Sequence, residues 1–191
     1  VTTLGMMIAV RGILLVVAGG HGIIGLPETF TQIGQSGLFG VQYPVYFLII
    51  FAVLFDFLFR KMRWFRMSYY VGDNEEAARM SGINPVHIKM FNYVFVALLA
   101  GISGLFMAAR TGMASVTIGE QAPLSAIAAC VVGGASLSGG EGTVIGAVLG
   151  AFLLQLLTNA LNIAGVGIYW QQVFTGGILL AAIALDKLRT E

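Results

Sequence analysis

Long stretches without a charged residue are the feature that most restricts what this chain can fold into. Four of them cover residues 29–55, 90–109, 121–140 and 142–185. A segment of about 20 apolar residues is long enough to cross a bilayer as a helix. Because no water is present there, every backbone amide must be bonded internally, and a helix does this alone. The pattern therefore predicts an all-α, polytopic bundle of transmembrane helices.

Composition supports the same class. Of the 191 residues, 58% are hydrophobic and 10% are charged, whereas a soluble domain carries about 25% charged residues. A formal net charge of +1 without a basic face argues against a nucleic-acid-binding protein, and the apolar content argues against a disordered chain. The single cysteine, Cys130, allows no disulfide framework and no cysteine-based zinc site.

We expect one transmembrane domain over residues 1–191, with about six spans. The predicted spans cover residues 3–19, 42–59, 90–109, 123–136, 143–163 and 169–186. The fourth span is short, which suits a half-helix or a broken helix. The chain opens inside an apolar run without a signal peptide, and we expect a fragment that lacks N-terminal helices.

The basic residues predict the orientation in the membrane. Six of the ten Lys and Arg residues lie in the loop over residues 60–89. Lys and Arg accumulate on the cytoplasmic side, so this loop is predicted to be cytoplasmic. Alternation then puts residues 20–41, 110–122 and 164–168 outside. The C-terminus, with Lys187 and Arg189, returns to the cytoplasm.

The cytoplasmic loop contains signals for a short helix. Asp73 or Asn74 can cap its N-terminus, and Asp73 and Glu76 have the spacing of a capping box. Gly82 can end the helix, and Pro85 can begin another short one. For an arbitrary membrane protein, a capped and solvated loop would be a sufficient interpretation.

Further motifs follow one another along the chain. They are Thr3-Leu4-Gly5-Met6-Met7 with Arg11-Gly12, Gly25-Leu26-Pro27, residues 72–83 (GDNEEAARMSGI), Ile127-Ala128-Ala129 with residues 133–142 (GGASLSGGEG), and Asn159-Ala160-Leu161-Asn162. Their order and their residues resemble those of the ribose/xylose-type sugar permeases of ATP-binding cassette (ABC) importers. Glu76-Ala77-Ala78 with Gly82 also resembles the first half of the EAA-x-x-x-G pattern of such permeases. Asp73 departs from the family, which has a second glycine there, and so does Pro123, where a Glu is usual.

The resemblance implies a type II ABC importer permease fold and a homodimer in the bacterial cytoplasmic membrane, surrounded by lipid. It implies transport of a monosaccharide or similar small polar solute, with a cytoplasmic ABC ATPase that uses ATP and Mg²⁺ and a sugar-binding protein on the outer face. This chain would bind no cofactor and catalyse no reaction. The short cytoplasmic helix would be the coupling helix that contacts the ATPase. The implied coupling residues are Asn74, Glu75, Glu76, Ala77, Ala78, Arg79, Ser81 and Gly82.

Two groups of residues lie at helical spacing in the fifth span. A polar stripe is formed by Gln155, Thr158, Asn159 and Asn162. In hydrocarbon such groups need partners, so the stripe either lines a sugar pathway or makes interhelical hydrogen bonds. Small residues recur at Gly142, Gly146 and Gly150. They predict close helix packing, either within the subunit or at a dimer or gating contact.

Isolated charges raise separate questions. Arg11 lies near the middle of the first span, where an arginine costs about 2.5–3.5 kcal/mol, so it needs a partner or water. Asp56 is a candidate, but it lies at the cytoplasmic end of its span, and a partner outside this chain is equally open. Glu28 and Glu120 are predicted to face outward, towards solvent or a binding protein.

Other functions fit part of the pattern. A branched-chain amino-acid or other small-solute permease would share the architecture. A passive channel would not explain the capped cytoplasmic helix, and a structural subunit would not explain the polar stripe. Residues 137–141 (LSGGE) resemble the signature of ABC ATPases, but no P-loop accompanies them, so a glycine-rich turn is predicted. No catalytic or metal-binding constellation is predicted.

Overall fold

The structure is a computed structural model that describes residues 2–190, with the side chains at positions 2, 4, 168, 179 and 185–190 outside the described part. Its helices are α1 (Thr2–Ala18), α2 (Glu28–Gln35), α3 (Tyr43–Lys61), α4 (Arg63–Asp73), α5 (Glu75–Met80), α6 (Pro85–Thr111), α7 (Ala122–Val132), α8 (Val144–Ile163) and α9 (Ile168–Thr190). Its two-residue strands are β1 (Ile23–Ile24), β2 (Gly37–Leu38), β3 (Val41–Gln42) and β4 (Met113–Ala114). The predicted all-α class is confirmed. The orientation argument from Lys187 and Arg189 falls on side chains outside the described residues.

Each predicted span contains one helix. Among the described residues, α3, α6 and α8 are long and apolar enough to cross a membrane, with mean hydropathy of 1.8, 1.9 and 2.0. Shorter apolar helices cover Gly5–Ala18 and Ala122–Val132. The 11 residues of α7 extend roughly 16 Å, about half of the hydrocarbon thickness. The fourth span is therefore a half-helix.

The chain divides into two compact units, and the first comprises Val1–Leu48 and Ala97–Glu120. Within it, β1 pairs with β4 in an antiparallel arrangement, and β2 pairs with β3. Gly34 of α2 lies so close to the Arg110 backbone that a side chain would overlap it. Gln35 Nε2 donates a hydrogen bond to the Arg110 carbonyl at 3.2 Å. These contacts join two segments that the charge pattern assigns to the outer side.

The second unit comprises Ile49–Val96 and Gln121–Glu191. An aromatic cluster centred on Phe65 holds α4 against α3 and α6. The Phe65 ring lies 5.0 Å from Phe59, 5.4 Å from Phe91 and 5.2 Å from Phe95, measured between centroids. Tilted and edge-on rings at these distances stabilise a contact beyond the area that they bury. The loop predicted to be cytoplasmic, residues 60–89, is therefore a packed structure that begins with α4.

Close backbone contact between α7 and α8 forms the other part of this unit. A Cβ atom at Gly150 would overlap the Ala129 carbonyl and lie 2.8 Å from the Gly133 nitrogen. A Cβ atom at Gly146 would overlap the Gly133 carbonyl. Ala128, Ala129 and Leu154 are buried beside these contacts. Gly146 and Gly150 thus face α7 of the same chain, whereas Gly142 lies in the turn before α8 with a φ of +153°.

Two expectations for the loops need correction. The helix that begins at Pro85 is not short, because α6 continues for 27 residues to Thr111. Asn84 Oδ1 accepts a hydrogen bond from the Val86 amide at 3.1 Å and caps it, and the apolar span follows without another proline. The amphipathic helices α2 and α4 were not predicted, since each has only a few turns and lies in a segment that the charge pattern assigned to a loop.

We expect Gly150→Ala to lower the free energy of unfolding by about 1–3 kcal/mol, the usual cost of overpacking, because the methyl group would overlap the α7 backbone. Thermal unfolding in detergent measures this. Gly101→Ala is the matched control, since it adds the same methyl group to a helix where nothing lies within 4 Å. Equal effects of the two substitutions would contradict the packing of α8 against α7.

Candidate functional site

Asn74 caps the N-terminus of the short helix α5. Its Oδ1 atom accepts hydrogen bonds from the Glu76 amide at 3.0 Å and the Ala77 amide at 2.9 Å. These amides have no partner inside the helix, so the cap satisfies them. Asp73 is the last residue of α4. The predicted capping box between Asp73 and Glu76 is therefore wrong, and the alternative cap at Asn74 is the observed one.

Gly82 ends α5 through a Schellman motif. The Ile83 amide donates to the Ala78 carbonyl and the Gly82 amide to the Arg79 carbonyl, both at 3.0 Å. Gly82 has a φ of +81°, a conformation that glycine adopts without strain. Ile83 packs against a buried cluster that contains Ala78. The six residues of α5 are thus fixed at both ends.

Glu75 ties α5 to the beginning of α6. Its carboxylate accepts a hydrogen bond from Lys89 and lies 3.9 Å from the Arg79 guanidinium. The hydrogen bond from Lys89, with the two positive charges, lowers the pKa of Glu75 below its ordinary value. Glu75 is therefore charged at neutral pH and bridges two helices.

The surface that α5 presents to solvent differs from the predicted set. Glu76, Ala77, Arg79 and Ser81 are exposed, and Met80 is 87% exposed. Ala78 is buried against Val71 and Ile88 instead. Of the two adjacent alanines, only Ala77 is therefore available to a partner, whereas Ala78 holds the helix to its own subunit.

The C-terminal end of α4 lies against the glycine turn, residues 133–143, which connects α7 to α8. The Tyr69 hydroxyl donates a hydrogen bond to the Gly142 carbonyl at 2.9 Å. A Cβ atom at Gly72 would lie 2.8 Å from the Gly140 nitrogen, so the two backbones meet without a side chain between them. Burial, and secondarily the negative charge of Asp56, raise the pKa of Tyr69. The phenol therefore stays protonated and keeps donating at physiological pH.

A cavity of about 650 Å³ lies between α7, α8 and α9. Its polar lining residues carry only amide and hydroxyl groups. They are Gln121, Ser125, Gln155, Thr158, Gln171, Gln172 and Thr175. The remaining lining is apolar and consists of alanines, Gly176 and two leucines, Leu124 and Leu154. No charged side chain of the described residues lines it. In the predicted orientation, the cavity lies towards the outer ends of these helices.

The structure divides the predicted polar stripe. Gln155 and Thr158 line the cavity, and the Thr158 hydroxyl donates to the Leu154 carbonyl at 2.9 Å. Asn159 is exposed and is not among the lining residues. Asn162 is also exposed, and its Oδ1 atom accepts a hydrogen bond from Gln171 at 2.8 Å. One half of the stripe thus faces the cavity, and Asn162 acts on a neighbouring side chain.

Gln171 is a lining residue that the sequence analysis missed. Its side chain is buried, with 7% of its surface exposed. Nε2 donates to Asn162 Oδ1 at 2.8 Å and to the Val166 carbonyl at 2.9 Å. The one available signal was two adjacent glutamines, Gln171 and Gln172, in a charge-free stretch.

Arg11 has its partner within this chain. One of its guanidinium nitrogens lies 2.7 Å from a carboxylate oxygen of Glu120, and both side chains are about half exposed. Asp56, the candidate from sequence, pairs with Arg60 one helical turn away at 2.7 Å. Glu120 therefore joins its predicted outer loop to α1. No group of three or more His, Cys, Asp or Glu residues that could hold a metal ion is present among the described residues.

Comparison with known proteins gives a family. Residues 1–183 match the profile of the family described as branched-chain amino acid transport system, permease component. The xylose transport system permease protein of Haemophilus influenzae is 43% identical over 147 residues, which cover 77% of this chain and 39% of that protein. The ribose import permease protein of Bacillus subtilis is 35% identical over 192 residues, which cover 100% of this chain and 60% of that protein.

A third relative, the L-arabinose ABC transporter permease protein of Azospirillum brasilense, is 32% identical over 189 residues, covering 99% of this chain and 56% of that protein. The chain therefore spans between 39% and 60% of the length of these relatives. No solved structure matches the chain significantly.

Asn74→Ala is expected to destabilise α5 by about 1 kcal/mol, the usual value of an N-cap, because the amides of Glu76 and Ala77 lose their acceptor. Amide hydrogen exchange over residues 75–82 should become several-fold faster. Asn74→Asp retains a capping oxygen and serves as the control. Unchanged exchange in Asn74→Ala would show that the cap does not hold this helix.

Proposed function

Because this chain belongs to the family of branched-chain amino acid transport system permease components, we propose that it forms the membrane-spanning core of an ABC importer permease that moves a monosaccharide. The uncharged, amide- and hydroxyl-lined cavity between α7, α8 and α9 carries the proposal. A sugar offers only hydroxyl and ether groups, which neutral amides and hydroxyls can bind without a charged partner.

The family description leaves a second cargo open, namely a branched-chain amino acid. Such a cargo carries an ammonium and a carboxylate, and moving both out of water without charged partners is unfavourable. The relatives described above carry the names of xylose, ribose and L-arabinose permeases, which favours the sugar. Uptake of labelled D-xylose, D-ribose, L-arabinose, D-galactose and L-leucine by the assembled importer separates the two. Uptake of L-leucine alone would overturn the monosaccharide assignment.

In this proposal α5 is the coupling helix for a cytoplasmic ABC ATPase, and ATP and Mg²⁺ act in that partner. The exposed face formed by Glu76, Ala77 and Met80 is the docking surface. Ala77, the small residue at its centre, lets a partner approach the helix backbone. The caps at Asn74 and Gly82 stabilise the helix when the partner binds and moves it. The chain itself carries out transport and no chemical reaction.

The remaining assignments follow the same proposal. The permease acts as a homodimer in the bacterial cytoplasmic membrane, in contact with lipid, with its C-terminus in the cytoplasm. A sugar-binding protein docks on the outer side, where the charge pattern places the mouth of the cavity. Cargo enters the cavity from that side, and movement of α5 by the ATPase reaches α8 through the contact between α4 and the glycine turn.

Ala77→Trp is expected to prevent association with the ATPase, because an indole on the docking surface blocks close approach to the helix. Co-purification of the permease with its ATPase measures this. Ala114→Trp is the matched control, since Ala114 is equally exposed but lies on a segment predicted to face outward. Normal co-purification and normal sugar uptake with Ala77→Trp would contradict the assignment of α5 as the coupling helix.

Tyr69→Phe is expected to reduce the number of sugar molecules imported per ATP hydrolysed by about threefold, the factor expected for one weak hydrogen bond. The substitution removes the hydrogen bond to Gly142 and leaves the docking surface unchanged. Sugar uptake and ATP hydrolysis are measured together in proteoliposomes. Tyr70→Phe is the control, since the exposed Tyr70 hydroxyl contacts only Arg66 of the same helix among the described residues. An unchanged ratio in Tyr69→Phe would show that the bond plays no part in coupling.

A further inference from the structure

The side chain of Gln171 is held in one orientation at the wall of the cavity. Both of its Nε2 hydrogens are donated, to Asn162 Oδ1 at 2.8 Å and to the Val166 carbonyl at 2.9 Å. Rotating the amide by half a turn would bring Oε1 against these two oxygens, which is repulsive. The position of Oε1 is therefore fixed by the backbone and by Asn162.

Oε1 of Gln171 is left as an acceptor. Among the described residues, no donor is assigned to it, although 93% of the residue surface is buried (7% exposed). This oxygen belongs to the part of the residue that stays accessible, because no fully buried side-chain nitrogen or oxygen atom of the described residues lacks a hydrogen-bond partner. Gln171 is also one of the residues that line the cavity. A molecule in the cavity is in a position to supply the missing donor.

Two neighbouring hydroxyl groups have the same bias towards accepting. The Thr158 hydroxyl donates its proton to the Leu154 carbonyl, and the Thr175 hydroxyl donates to the Gln171 carbonyl, both at 2.9 Å. Both threonines line the cavity. With their protons committed to the helix backbone, the two oxygens can only accept from a cargo. Three acceptors thus stand on adjacent faces of α8 and α9.

We infer that Gln171, held by Asn162, is a specificity-determining residue of this cavity, whose Oε1 accepts a hydrogen bond from a hydroxyl group of a neutral, polyhydroxylated cargo. This inference rests on the proposed function. It changes the role of Asn162 from a pathway residue to a positioning residue for Gln171. A cargo that offers acceptors without donors, such as a fully methylated sugar, can form no hydrogen bond with these three acceptors.

The test measures sugar binding to the permease–ATPase complex in nanodiscs, without the binding protein, by saturation-transfer NMR. The probes are D-xylose, D-ribose, L-arabinose and D-galactose, followed by the monodeoxy analogues of the sugar that binds best. We expect Gln171→Met to raise the Kd of that sugar about tenfold, the upper range for one hydrogen bond. Gln32→Met is the control, since this exposed glutamine of α2 is not among the residues that line the cavity. Its Kd should stay within about twofold of the wild-type value.

The analogues separate direct contact from a structural effect. One monodeoxy analogue should bind wild-type permease about tenfold more weakly than its parent sugar, and should bind Gln171→Met as well as the parent does. Asn162→Ala should raise the Kd about threefold, because Oε1 is then free to rotate. If Gln171→Met does not fold, Asn162→Ala provides the test instead, because Asn162 is exposed and its substitution disturbs folding less.

Two results would overturn the inference. One is an unchanged Kd in folded Gln171→Met or in Asn162→Ala. The other is an equal deoxy penalty in wild-type and Gln171→Met permease. Failure of the proposed function gives a different pattern. If wild-type permease binds L-leucine and none of the sugars, the monosaccharide assignment falls and the hydroxyl contact falls with it, whereas sugar binding that Gln171→Met leaves unchanged overturns the inference alone.

Discussion

The close backbone contact between α7 and α8 is the constraint on which the second unit depends. In hydrocarbon, lipid tails are as apolar as leucine, so helices associate mainly through dispersion and short polar contacts that need small residues. Gly146 and Gly150 provide this surface, and nothing larger than a hydrogen fits at either position. The resulting hairpin has the cavity at one end and the glycine turn at the other. The hairpin therefore connects the glycine turn directly to two of the three helices that line the cavity.

The segments predicted to be cytoplasmic are held together by a different kind of contact. The ends of α5 are fixed by backbone hydrogen bonds, its middle is buried through Ala78, and Glu75 bridges it to α6. Through α4, this assembly reaches the glycine turn by one hydrogen bond and one glycine-to-glycine approach. The sequence that resembles an ATPase signature thus has a structural explanation without nucleotide. Glycines at residues 139 and 140, with φ of +98° and +78°, allow the backbone to come within reach of α4.

Much of this architecture could be predicted from the sequence, because the determining signals are local. The charge-free stretches predicted five of the six hydrophobic helices, and the sixth, α1, was predicted from an apolar run that contains only Arg11. Asn74 and Gly82 predicted the ends of α5 through the chemistry of one side chain and one backbone angle. Contacts between distant segments could not be predicted in this way. Ala77 and Ala78 are chemically identical, and only the packing of α5 against Val71 and Ile88 buries one and exposes the other. Glu120 could not be recognised as the partner of Arg11, since a loop residue is free to turn back towards a helix. Gln171 was missed because its role depends on the bend after α8, which brings Asn162 and the Val166 carbonyl to its amide.

A transporter must select its cargo and still release it. In this cavity, three side chains already donate their protons to the chain itself, and this restricts which hydrogen bonds a cargo can form. A charged site would bind a charged solute tightly, but neutral hydrogen bonds each contribute only about 0.5–1.5 kcal/mol net. A few such bonds discriminate between solutes by geometry without holding any of them for long. Selectivity then requires that the acceptors do not rotate to suit a different partner. The backbone carbonyls of Leu154, Gln171 and Val166 meet this requirement, because each occupies a proton that a free hydroxyl or amide would otherwise offer to the wrong solute. The helix backbone and the chain between α8 and α9 therefore fix three of the polar groups that line the cavity as acceptors.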